Sequence, residues 1–117
     1  MSNNEKNTII FNSTVLENIF QIPEFKVWQT LRKSNQVQAG MKVFMKLSKS
    51  DRIFLVGIAA GPMRPITKQQ PWKTILGNGD NFEVPIDVVK IQEFPFKKSF
   101  PGVRIHMSGV TTCNSAL

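Results

Sequence analysis

Residues 41–60 restrict what this chain can become more than any other stretch. Met41, Val43, Met45 and Leu47 alternate with Lys42, Phe44 and Lys46, the period of two of a strand with one face on a core. Ser48-Lys49-Ser50-Asp51 is a polar turn. Residues 53–60 are then almost uninterrupted apolar sequence, as in a strand covered on both faces. The pattern predicts a hairpin whose second strand is central in a sheet. Gly57 inside that strand predicts a bulge or a close backbone approach. Gly61, Pro62 and Pro65 end it, and Pro71 prolongs the loop.

The other elements follow from the same rules. Residues 8–11 are apolar and β-branched and read as a short strand. Ser13 or Thr14 can cap a helix, with Glu17 in its first turn. Val15, Leu16, Ile19 and Phe20 are spaced for one helical face, and Pro23 stops it. A second short helix is expected over residues 30–38, ending at Gly40. Residues 82–92 alternate again, with Pro85 marking an edge or bulge. Phe94-Pro95-Phe96 leaves the sheet, and residues 103–107 read as a last short strand. The expectation is one α/β domain over residues 8–107, with a flexible start at 1–7 and a tail at 108–117. Its architecture is a curved sheet or open β-barrel flanked by short helices.

Charge and composition narrow the function. Fifteen Lys and Arg stand against eight Asp and Glu, a net charge of +7. That balance favours a polyanionic partner. One cysteine, Cys113, permits no internal disulfide and fits a reducing intracellular compartment. One histidine and one cysteine make a conventional zinc site untenable. No apolar run approaches the ~20 residues of a membrane span. His106 has no Ser or Cys motif around it, the acids are scattered, and no Gly-rich phosphate loop is present. The reading is a non-catalytic monomer without cofactor, metal or membrane.

The two tryptophans, Trp28 and Trp72, are 44 positions apart, and both stand at expected element borders beside polar residues. Two indoles from such borders can sandwich a planar or cationic group, although core packing is the ordinary fate of a Trp. Lys26, Arg32 and Lys33 flank the first, and Lys73 follows the second. Lys97, Lys98 and Arg104 lie toward the end. Cations for phosphates and rings for bases are what single-stranded nucleic acid requires. The same charges also suit an ordinary solvated surface.

The order of these features resembles the YTH domain, a reader of N6-methyladenosine in RNA within the wider PUA-like group. The stretches that carry it are Ile10-Phe11-Asn12-Ser13-Thr14 with Asn18, then Val27-Trp28-Gln29-Thr30 ten residues on. The hairpin ending in Gly57-Ile58-Ala59, the Pro71-Trp72 loop and Phe94-Pro95-Phe96 complete it. The resemblance implies that Trp28 and Trp72 form an aromatic cage around the methylated base, with Ile75 or Leu76 as third wall. It implies base-edge hydrogen bonds from Asn12, Ser13, Thr14 and Asn18, and a Gln29 carbonyl that takes the remaining N6 hydrogen. The basic residues named above would hold the RNA backbone.

Asn12 stands where the family usually has a basic residue, and the loop after Trp72 is short. Three readings therefore remain in play: a reader of methylated adenosine in single-stranded RNA, an EVE-like reader of a modified base in DNA, and a protein-interaction domain with buried tryptophans. Exposure of the indoles and a pocket beside them separate the third from the others.

Overall fold

A computed structural model describes residues 6–75 and 77–117. Its elements in chain order are β1 (Thr8–Ser13), α1 (Leu16–Phe25), β2 (Val27–Thr30), β3 (Lys42–Leu47), β4 (Arg52–Ala59), β5 (Arg64–Pro65), β6 (Phe82–Pro95), α2 (Phe96–Ser99) and β7 (Val110–Cys113). The strands form one sheet in the order β2-β6-β4-β3-β1-β7, with β5 also on β6. It curls into a half-barrel flanked by the two short helices.

The expected hairpin is β3–β4, and β4 lies between β3 and β6 as a central strand. Gly57 marks both features expected of it. The β4–β6 register shifts between Val56 and Gly57. A Cβ at Gly57 would stand 2.8 Å from Ile86 Cγ2 and 2.9 Å from the Asp87 carbonyl oxygen, so only glycine lets β6 approach.

Strand alternation divides the core between the two faces of the sheet. Ile9 and Phe11 of β1 point to the concave side, where α1 adds Ile19 and Ile22 and where Trp28 and Trp72 also pack. Ile10 points the other way, to Phe44, Ile53, Phe96 and Phe100 under α2. The concave cluster builds the site. The convex cluster closes the back of the sheet.

Several local expectations are corrected. No helix forms over residues 30–38: Thr30 ends β2, and a loop with turns follows to β3. That segment buries only Val37 fully and has no apolar stripe to pack, while its Ser and Asn compete for backbone groups. Trp28 is inside β2, not between elements. Pro23 does not stop α1. It sits in the last turn, and the helix ends at Lys26 in the left-handed region, whose N–H donates to the Ile22 carbonyl. The helix cap is Val15 without a side-chain bond, because Ser13 Oγ both accepts from Val15 N–H and donates to Val15 O. Phe20 is 46% exposed, against the edge of Phe54, since the buried face runs through Asn18, Ile19 and Ile22. The last strand falls at Val110–Cys113, antiparallel to β1. Residues 103–107 are loop, and part of the expected tail is therefore a sheet edge.

Candidate nucleic-acid interface

The site begins with β2, a sheet-edge strand paired, among the described residues, with β6. Trp28 faces the concave core and Gln29 the opposite face. The loop between β5 and β6 folds around the free edge of β2 and meets both. The Trp72 ring lies 5.1 Å from that of Trp28, centroid to centroid, at 63°. Its Nε1 donates to Gln29 Oε1 at 2.9 Å. Phe25 of α1 closes on Trp72 from the other side at 5.1 Å, and Phe11 stands 6.5 Å from Trp28. The indoles thus touch edge to face and form a corner, not a pair of parallel plates.

Register explains how Gln29 is held. Gln29 is opposite Glu83 on β6, and Glu83 is opposite Arg64 on β5. Cross-strand partners share a face, so the three side chains line up across three strands. Gln29 Nε2 donates to Glu83 Oε1 at 3.0 Å and to the Lys68 carbonyl at 2.8 Å. Arg64 donates to Glu83 Oε2 through Nε at 2.9 Å and pairs through Nη2 at 2.8 Å. Glu83 is 2% exposed, and these partners satisfy a carboxylate that would otherwise be costly to bury. Gln29 Oε1 accepts from the Gln70 and Trp72 donors at 2.9 Å and from Gln69 Nε2 at 3.1 Å. Donors on one side and acceptors on the other leave the amide one orientation.

Beside the corner opens a cavity of about 800 Å³. Asn12, Ser13, Thr14 and Asn18 form one wall, and residues 29–32 continue from the edge strand. The loop of residues 105–109 lies beside Asn12 and adds to the lining, as do Thr74 and Asp80. Trp28 and Trp72 are only 9% and 7% exposed, yet both line this space. They are core residues and pocket residues at once.

The polar groups are unequally free. Asn18 is buried, and its Oδ1 accepts from the Lys73 N–H at 2.8 Å. The Asn12 N–H donates to the Gly109 carbonyl at 2.9 Å, while Asn12 Oδ1 is buried without a partner among the described residues. Ser13 is spent locally: its hydroxyl serves Val15, and its carbonyl accepts from Ser48 N–H at 2.7 Å. Thr14 is exposed on the cavity wall. The carbonyls of Lys26 and Thr30 accept from Ile86 and Asn81 on the β6 side. By the alternation of a strand, the Gln29 carbonyl between them turns away from β6.

Of the other expected residues, Ile75 is 40% exposed and packs near Gly79, outside the lining. Leu76 lies outside the described residues. Arg32 reaches the cavity, and Lys26 and Lys33 are exposed nearby in sequence. Lys73 is paired to Glu17 at 2.6 Å, which holds the Glu17 carboxyl below its ordinary range. Arg104 is exposed on the chain leading to the cavity loop. Lys97 and Lys98 lie on α2, the helix over the convex cluster.

The sequence reading missed two parts of the site. One is the Glu83–Arg64 brace, whose only signal is an acid, Glu83, between the apolar Phe82 and Val84 at the start of β6. The other is the wall at residues 105–109, where His106 Nδ1 accepts from the Ser108 N–H at 3.1 Å and Met107 is 100% exposed. Among the described residues, no group of three or more His, Cys, Asp or Glu is placed to hold a metal ion, and no helix is long and apolar enough to cross a membrane.

The fold is that of YTH domains. The chain superposes on the YTH domain of Zygosaccharomyces rouxii MRB1 in complex with N6-methyladenosine RNA with a TM-score of 0.57, at 12% identity, covering 86% of this chain and 68% of that one. It superposes on the Pho92 YTH domain in complex with m6A with a TM-score of 0.59, at 14% identity, over 88% and 69% of the two chains. No protein-family model matches the chain, and no curated protein matches it in sequence.

Proposed function

We propose that this chain binds N6-methyladenosine in single-stranded RNA, without catalysis, with the methylated base in the cavity beside Trp28 and Trp72. The observation that carries the reading is the indole corner opening onto a cavity with hydrogen-bonding groups on its walls. An apolar angle of two π-faces accepts a methyl group readily. The Asn18 oxygen is already engaged, so its amide NH₂ is the end left to donate to an acceptor nitrogen on the base edge. The Gln29 carbonyl, turned from β6, is an acceptor for the one N6 hydrogen that methylation leaves. Unmethylated adenine brings a second N6 hydrogen against the indoles, and an unsatisfied buried donor costs about 1–3 kcal/mol. That supports roughly tenfold or greater preference for the methylated base.

Arg32 at the cavity and Arg104 beside its loop are the cations best placed for the RNA backbone. Calorimetric titration with two short RNAs that differ by one N6-methyl group tests the proposal. The expected result is preferential binding of the methylated strand. Equal affinity for both strands defeats it, and tighter binding of the matching methylated DNA would move the reading to the DNA alternative.

A further inference from the structure

We infer that the Gln29 side chain, braced by Glu83 and Arg64, is a positioning residue that sets the angle of Trp72 against Trp28. Its part in methyl selectivity rests on the function proposed above. The positioning itself rests on geometry alone.

Trp72 stands in a loop, not in a strand or helix, so no backbone ladder fixes its ring. What fixes it is contact with Trp28 and Phe25 and one directional bond, Nε1 to Gln29 Oε1 at 2.9 Å. Ring contacts alone leave an indole free to slide and tilt, whereas a hydrogen bond to its single donor fixes one point and one direction. Gln29 Oε1 also accepts from Gln70 N–H and Gln69 Nε2, so the same atom gathers the loop just before the ring. Gln69 continues the hold by donating to Asp80 Oδ2 at 2.9 Å and accepting from Asp80 N–H at 2.6 Å. The loop before Trp72 and its far end at Asp80 thus both connect to Gln29, while Lys73 N–H, just after the ring, is held separately by Asn18 Oδ1.

An amide that can rotate would be a poor anchor. Here it cannot, because Nε2 is held by Glu83 and the Lys68 carbonyl. Glu83 in turn takes both its oxygens' bonds from Gln29 and Arg64. Arg64 is outside the cavity and half-exposed. The chain of bonds thus lets a surface residue govern the shape of the indole corner, and buried polar networks of this kind act as units.

The test reads the corner without any ligand. Two indoles in contact at 63° couple their excited states and give paired circular dichroism bands of opposite sign. Trp28→Phe supplies the baseline without that couplet. Gln29→Ala is expected to reduce the couplet by more than half and Arg64→Ala to reduce it measurably, each with the amide spectrum of the folded sheet retained. A couplet of wild-type intensity in folded Gln29→Ala overturns the proposal. A couplet lost there but undiminished in Arg64→Ala removes Arg64 from it. Should Gln29→Ala fail to fold, Arg64→Ala decides alone on the same criterion.

The second arm titrates the same variants with the methylated and unmethylated RNA pair. The expected change is a roughly tenfold fall in methylated-to-unmethylated preference for Gln29→Ala, the scale of one mispositioned buried bond, read as the ratio of the two affinities within each variant. An unchanged preference alongside a lost couplet overturns the link to selectivity. A wild-type protein without methyl preference defeats the proposed function instead, and the couplet still decides the positioning.

Discussion

Trp72 Nε1 donates to Gln29 Oε1 at 2.9 Å, so the only hydrogen-bond donor of that indole is spent inside the protein. The ring has its π-faces and edges left for a ligand. This suits a wall that selects an apolar group and leaves hydrogen bonding to Asn18, Thr14 and the edge of β2.

Both tryptophans belong to the concave core, so truncating them tests two things at once. Trp28→Ala is expected to cost about 3–5 kcal/mol of stability, as large-to-small core changes do. Urea denaturation monitored by amide circular dichroism checks this. Trp72→Phe keeps an aromatic wall and leaves Gln29 Oε1 its two other donors, so it is expected to cost about 1 kcal/mol. If Trp28→Ala is as stable as wild type, Trp28 does not pack as described.

The basic residues divide by position. Arg32 lines the cavity, while Lys97 and Lys98 ride on α2 behind the sheet. Arg32→Ala is expected to weaken methylated and unmethylated RNA alike and to lower the salt slope of binding by roughly one. Lys97→Ala and Lys98→Ala are expected to leave that slope unchanged. A fall in slope for the α2 variants and not for Arg32→Ala would reverse this division.

What was legible in the sequence was whatever strand periodicity or backbone chemistry imposes. The β3–β4 hairpin and Gly57 are of that kind. So is β1, because alternation alone sends Ile9 and Ile10 to different cores. The helix expected at residues 30–38 rested on a terminal glycine without an apolar stripe, and capping signals cannot sustain a helix that buries nothing. The Gln29–Glu83–Arg64 row was not legible because it depends on which strands adjoin. The strand containing Glu83 reads as alternating whether or not β2 and β5 flank it. The wall at residues 105–109 was hidden for a related reason: the last strand starts at Val110, seven residues later than expected, and that turns a supposed strand into the loop facing the cavity.

Gly57 gives a sharp prediction about the sheet. Gly57→Ala would set its methyl against Ile86 Cγ2 and the Asp87 carbonyl, at 2.8 and 2.9 Å. Ile86 can shift a side chain, but the carbonyl can move only with β6. The expected loss is roughly 1–3 kcal/mol, as for other overpacked sites. Thermal unfolding checks it, and a Tm equal to wild type would show that β4 and β6 have more room than the distances allow. Gly40→Ala meets no neighbouring atom within 4 Å, so any cost there comes from its left-handed backbone alone.

Lys46 is expected to be a stability cost at neutral pH. Its side chain is buried on β3, with Nζ 5.5 Å from the Phe96 ring centroid and donating to the Leu47 carbonyl at 3.2 Å. Loss of water lowers its pKa from the ordinary 10.5. Asp51 works against that shift and Lys97 adds to it. The folded state therefore binds this proton less tightly than the unfolded chain does. At neutral pH both states hold the proton, and the folded state bears the full penalty. As pH rises through the lowered folded value toward 10.5, the folded protein releases the proton first and the penalty is relieved. Lys46→Met removes the charge and keeps the apolar stem, so it is expected to raise Tm at pH 7 by a few degrees. The difference from wild type should shrink as pH approaches 10.5. Cys113 is present in both proteins, so the comparison isolates Lys46. A Lys46→Met protein less stable than wild type at pH 7 would mean that the contact with Phe96 outweighs the loss of water.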